Sequence, residues 1–203
     1  MTPMNSIAPV LLNRIAALRA LRTDLPVAAV LVGLDVAARL LPHAPNFTPV
    51  AASALFAASI LRVRALSLLV PVAGMVLGDA VLGFYDWRVM ASVYAALSLP
   101  ACAACLSGRL RGPRMMVPVM LSCSLSFFLI TNFAVWAFGS MYAASLDGLI
   151  ACYVAALPFL KYTVAGDLVW AGVLFGGFWL LQHVLLPTAG RATAVAVAAR
   201  GRL

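Results

Sequence analysis

The fourteen basic residues of this chain fall almost entirely on alternate sides of six apolar segments. The segments run from Leu25 to Leu41, Pro49 to Leu61, Ala65 to Gly83, Val89 to Ser107, Met115 to Phe138 and Val164 to Leu186. With the N-terminus inside, the cytoplasmic side holds Arg14, Arg19, Arg22, Arg62, Arg64, Arg109, Arg111, Arg114, Arg191, Arg200 and Arg202. The outer side keeps Arg39, Arg88 and Lys161. Basic residues are retained on the cytoplasmic side of a membrane, so eleven against three predicts six spans with both termini inside.

Composition agrees: 65% hydrophobic residues, 10% charged residues and a mean hydropathy of +1.05 leave too little polar surface for a soluble domain. The predicted fold is an all-α integral membrane protein, a six-transmembrane-helix bundle. The net charge of +8 does not point to nucleic acid, because the arginines sit in short flanks of apolar helices and form no basic stripe. Residues 1–24 read as a cytoplasmic segment, with Ile7 to Arg22 an amphipathic helix on the membrane surface. Residues 25–187 form the transmembrane domain and 188–203 a basic cytoplasmic tail. A cleaved signal peptide fits poorly, since Arg14, Arg19 and Arg22 interrupt its apolar core.

Two segments are short. Gly148 to Leu160 would reach only about 20 Å against a hydrocarbon core of about 30 Å, and Pro158 interrupts it. A seventh crossing there would reduce the charge bias to nine against five. It reads instead as half-inserted or lying along the outer surface. Pro49 to Leu61 must cross, and is expected to extend through Arg64 at its inner end.

Polar chemistry concentrates on the outer side. Asp79, Asp86, Asp147 and Asp167 fall at or near that face, and Asp35 lies in the outer half of the first span. Ionisable groups at membrane depth cost about 2.5–3.5 kcal/mol on insertion scales, so they face a partner, a bundle interior or a wet cavity. Asp35 and Arg39, four residues apart, read as a structural ion pair. Asp79 has no such neighbour and reads as a ligand contact, together with the aromatic loop containing Phe84, Tyr85 and Asp86; an interfacial aromatic belt is the plainer use of Tyr85 and Trp87. The proline-stiffened loop from Pro42 to Pro49 presents His43, Asn46, Phe47 and Thr48 as a pocket rim or as a capped connector. Gly139 to Asp167 is the longest outer connection, carrying Tyr142, Tyr153, Lys161, Tyr162 and Asp167, and is expected to serve as a lid. Asn132 suits either an interhelical hydrogen bond or a ligand.

Other candidates carry less. Cys102 and Cys105 form a CxxC inside the apolar fourth span without a second pair or histidines, which favours helix packing; with Cys123 and Cys152 they read as free thiols. His183 stands alone and reads as an interfacial or packing residue. Ala29, Gly33 and Ala37, and Gly172 with Gly176, allow close helix contact within the bundle or with a partner subunit. No nucleophile, base and orienter constellation and no phosphate loop occur, so neither hydrolysis nor ATP use can be argued.

Four stretches carry a resemblance: RLLPHAPNFTPVAASALF (Arg39 to Phe56), GDAVLGFYD (Gly78 to Asp86), FFLITNFAVW (Phe127 to Trp136) and GLIACYVAALPFLKYTVAGD (Gly148 to Asp167). In that order the chain resembles the small cobalamin uptake proteins of the BtuM type. These are relatives of the substrate-binding S-components of energy-coupling-factor (ECF) vitamin transporters. The resemblance implies an S-component-like fold in a bacterial inner membrane, with an outward pocket that takes cobalamin (vitamin B12) for uptake. It also implies a periplasmic delivery protein or an energising module as partner, and cobalamin as transported ligand rather than catalytic cofactor. In the cobalamin-type members a cysteine just after the aspartate of the third span contacts the cobalt; here that position is Ala80, which cannot ligate a metal. Removal of the upper cobalt ligand is thus expected only of a form with cysteine at position 80. Ala80 reads as a variant with altered chemistry or a cysteine-to-alanine change. An S-component-like transporter for another vitamin, or a structural or assembly subunit of a membrane complex, remain the alternatives.

Overall fold

A computed structural model describes residues 7–106 and 113–185. The tail at 188–203 and the arginines at 109 and 111 lie outside the described residues. Among the described residues the chain is all helical: α1 Ile7–Leu40, α2 Val50–Ile60, α3 Arg64–Leu82, α4 Trp87–Leu106, α5 Pro113–Phe138 and α6 Leu146–Leu180, with a π turn at Leu181–Leu185 closing α6. Four stretches are long and apolar enough to cross a membrane: Arg64–Leu82, Trp87–Cys105, Met115–Phe138 and Leu146–His183.

Apolar side chains cover the outer faces of the bundle as well as its core. Val30, Leu69, Leu125 and Val169 are each at least half exposed, while the buried set includes Asp24, Asp35, Asp79 and Asp167. Soluble proteins scatter apolar side chains singly over their surface rather than covering whole helix faces with them. Here lipid is the solvent that suits the outer faces.

The short α2 is the axis of the bundle. Nine of its eleven residues, Val50 to Ala58, are buried. At about 1.5 Å per residue it spans roughly 16 Å, too short for a hydrocarbon core of about 30 Å. It works because small side chains let neighbours close in: Ala51, Ala52, Ala54 and Ala58 pack against Ala101 and Ala104 of α4, Met120 and Cys123 of α5, and Ala171 of α6. On its other flank Phe56 meets Phe175 and Phe178 edge to face at 5.2 and 5.6 Å. The expected extension of this segment through Arg64 does not occur. Leu61 turns extended at ψ 138°, and Arg64 opens α3.

Two further expectations are corrected. Ile7 to Arg22 is not a separate surface helix but the start of the 34-residue α1, and Asp24 is buried, accepting hydrogen bonds from the backbone amides of Arg62 (2.6 Å) and Val63 (2.8 Å). A carboxylate at that depth satisfies amides that the turn between α2 and α3 would otherwise leave bare. Gly148 to Leu160 is neither detached nor interrupted at Pro158: it is the first part of the 35-residue α6, which runs through that proline. In apolar surroundings a broken helix exposes backbone groups with no water to meet them, so continuing past proline costs less than stopping. The irregular connection between α5 and α6 therefore shrinks to residues 139–145, and the lid expected of the region up to Asp167 is absent.

Close helix approach also occurs at other glycines than those singled out by spacing. A β-carbon at Gly33, Gly172 or Gly176 would meet nothing within 4 Å, whereas one at Gly74 would lie 2.7 Å from Asp35 Cβ and one at Gly166 2.9 Å from Phe47 Cα. Gly74 and Gly78 seat α1 on α3, and Gly166 seats the 41–49 connection on α6.

Candidate functional site

The glycine notch on α3 determines the polar layout of one end of the bundle. A β-carbon at Gly78 would lie 2.5 Å from Arg39 Nε, so the bare backbone there is what admits the guanidinium. Arg39 forms its ion pair with Asp79 of α3, and its Nη1 lies 2.9 Å from Met75 Sδ. Tyr94 of α4 donates to the second oxygen of Asp79 at 2.7 Å. The expected Asp35–Arg39 pair is thus replaced by a pair between helices. The i, i+4 spacing kept the two residues near one another, but the notch offered Arg39 a carboxylate with a phenol already fixing it.

Asp35 is fully buried and is hydrogen-bonded to Ser53 of α2 at 2.7 Å, with its other oxygen unpartnered. Asp167 on α6 is 4% exposed and hydrogen-bonded to Ser124 of α5 at 2.5 Å.

Between these groups lies a cavity of about 190 Å³. Its polar wall is Arg39, His43, Asn46, Thr48, Thr163 and Asp167; its apolar wall includes Ala51, Ala96, Pro100, Cys123 and Phe127. A second chamber of about 260 Å³ shares Arg39, Asn46, Met75, Phe127 and Thr163 with it and adds Tyr85 and Asn132. Asn46 holds φ 62°, a left-handed conformation that asparagine tolerates better than most side chains, and this fixes the bend of the 41–49 connection over the cavity.

The expected site residues separate clearly. His43, Asn46 and Asp167 line the first chamber, and Tyr85 and Asn132 the second, although Asn132 also donates to the Phe128 carbonyl at 2.7 Å. Asp79 is 2% exposed and engaged by Arg39 and Tyr94, so it positions the arginine rather than meeting a ligand. Phe47 packs by its backbone against Gly166. Phe84 is 64% exposed and lines neither chamber. Asp86 is exposed and starts α4: it accepts from the Arg88 amide at 2.9 Å and pairs with the Arg88 side chain at 3.0 Å. The hydrogen bond from that guanidinium, followed by the Arg88 amide, lowers its pKa to about 2. Tyr162 is exposed beneath Lys161, whose Nζ lies 4.8 Å from its ring centre. Ala80 is exposed on α3 and lines neither chamber, because one residue along a helix turns the side chain about 100° from the buried Asp79.

Several residues of the cavity wall were not expected there from the sequence. Thr163 lies one turn before Asp167, and Cys123 one turn before Phe127, a spacing that places each pair on one helix face. Cys105 sits 3.7 Å from the Ser67 hydroxyl, and His183 stacks on Trp179 at 5.0 Å; both act in packing.

A family of unknown function, DUF6580, matches residues 19–189. The chain belongs to that family. No curated protein and no solved structure matches it. The matched residues contain every wall of both chambers, so the cavity lies wholly within the part of the chain that defines the family.

Proposed function

We propose that the protein is a six-span receptor of a bacterial inner membrane, with both termini in the cytoplasm, that takes cobalamin into its cavity from the periplasmic side for uptake. The single observation that carries a receptor reading is the polar-walled cavity roofed by the 41–49 connection. Arginine placement favours the periplasm for that end, and the four sequence stretches favour a corrinoid as ligand.

The cavity walls suit a ligand with neutral hydrogen-bonding groups: threonine, asparagine and histidine side chains stand opposite alanine, proline and phenylalanine. Ligand pockets typically hold about 300–1,000 Å³, and the two chambers of about 190 and 260 Å³ fall below that range. A corrinoid therefore enters only if the 41–49 and 83–86 connections swing outward. Those volumes also favour the second reading, an S-component-like receptor for a smaller vitamin. Position 80 carries alanine and lines neither chamber, so the cobalt-contacting thiol that the resemblance implies there is missing and binding rests on the residues of the cavity wall. Delivery by a periplasmic protein and energising by a separate module belong to the same proposal.

Isothermal titration of the purified protein with cobalamin, a truncated corrinoid and small vitamins tests this. Cobalamin is expected to bind and to colour the protein red. Heat with a small vitamin and none with cobalamin overturns the corrinoid reading, and heat with none of them overturns the receptor reading.

A further inference from the structure

The serine partners of the two buried carboxyl groups cannot serve all their neighbours with the hydrogens they own. Ser124 Oγ lies 2.5 Å from Asp167 Oδ2 and 2.9 Å from the Met120 carbonyl. Ser53 Oγ lies 2.7 Å from Asp35 Oδ2 and 3.0 Å from the Val50 carbonyl. A serine hydroxyl carries one hydrogen, and an ionised carboxylate and a carbonyl both only accept. With both aspartates ionised, each serine would face two acceptors with one hydrogen. With both protonated, every contact is a hydrogen bond: the carboxylic acid donates to the serine oxygen and the serine donates to the carbonyl.

Charge accounting leads to the same assignment. Facing Asp167 across the cavity are Arg39 and His43, and beside it on α5 is Cys123; α2 and α4 contribute Ala51, Ala96, Leu97 and Pro100, which carry no charge. Arg39 is held by Asp79. Facing Asp35 are Ser53 on α2, the Gly74 backbone on α3 and Arg39 one turn along α1. Asp35 Oδ1 has no donor at all. A buried ionised carboxylate without a cation or a full set of donors is among the costliest arrangements a protein can hold. Arg39, half-buried in this layer, neutralises the one carboxylate it touches, Asp79.

We propose that Asp35 and Asp167 are proton-binding sites occupied at neutral pH, and that Asp167 presents its free oxygen to the cavity as an acceptor for a neutral donor of the ligand, an amide N–H or a hydroxyl, rather than for a cation. The ligand part of this inference rests on the receptor reading; the proton part does not. Infrared spectroscopy of the purified, ligand-free protein separates them. At pH 7 the wild type should show a protonated-carboxyl C=O band that Asp167→Asn and Asp35→Asn each diminish, and Ser124→Ala should shift the Asp167 component without removing it. Should Asp167→Asn fail to fold, the Ser124→Ala shift carries the test. A wild-type spectrum without that band, or a band unchanged by Ser124→Ala and by whichever asparagine variants fold, overturns the proton assignment. With the band present, Asp167→Ala, which removes the acceptor, should weaken cobalamin binding about tenfold. If wild type binds and the folded alanine variant binds as tightly, the neutral-acceptor role is overturned; if wild type binds no corrinoid, the corrinoid reading fails while the proton sites stand.

Discussion

Arg39→Leu should destabilise the protein by about 3–5 kcal/mol, because Asp79 would be left 2% exposed with only the Tyr94 hydroxyl for company. Asp79→Asn should cost a similar amount by stranding the guanidinium, whose Nε already lacks a partner. The double variant Arg39→Leu/Asp79→Asn removes both charges and should recover most of that loss, since the penalty of a broken buried pair lies in the charge left behind. Thermal unfolding of the three variants in one detergent decides the matter. A double variant as unstable as the two single losses added together would show that the residues act independently and that the pair does not organise this end of the bundle.

The second large effect is expected at Gly166. Gly166→Ala places a β-carbon 2.9 Å from Phe47 Cα, and backbone cannot rotate away as a side-chain tip can. The 41–49 connection must shift, at about 1–3 kcal/mol for overpacking, and it carries His43, Asn46 and Thr48 out of the cavity wall with it. Gly172→Ala, six residues further along α6 where the added methyl meets nothing within 4 Å, should have the opposite sign. There alanine removes the helix penalty of glycine, about 1 kcal/mol at most. Unfolding midpoints and ligand affinities of the pair check this. Equal effects of the two substitutions would mean that the contact between α6 and the connection is not what shapes the cavity.

How far the sequence went depended on which kind of signal each feature leaves. Apolar runs bounded by arginine located the helices, because lipid imposes length and composition on any segment that faces it. The proline-stiffened connection was legible as a pocket rim or a capped connector: His43, Asn46 and Thr48 line the cavity, while Phe47 beside them packs on Gly166 instead. Partner choice was not legible. Asp35 and Arg39 share a helix face, yet what decided their partners was the missing β-carbons of Gly74 and Gly78, forty or so residues away. Likewise Asp24 looked like the end of a surface segment, and only the turn at Arg62 and Val63 gave it a reason to be buried. Pro158 misled in the other direction, because a proline reads as a helix end in water and as a tolerated kink site in lipid. Ala80 sits beside a buried aspartate in sequence, but helical rotation takes it to the outer face.

The proposed uptake requires that the cavity open towards the periplasm. Leu41, 64% exposed at the cavity end, and Arg62, in the turn held by Asp24 at the other end, are the places to ask. In spheroplasts, Leu41→Cys should react with a membrane-impermeant thiol reagent, and Arg62→Cys should react only after the membrane is permeabilised. Labelling of Arg62→Cys from outside, with Leu41→Cys protected until permeabilisation, would contradict the account.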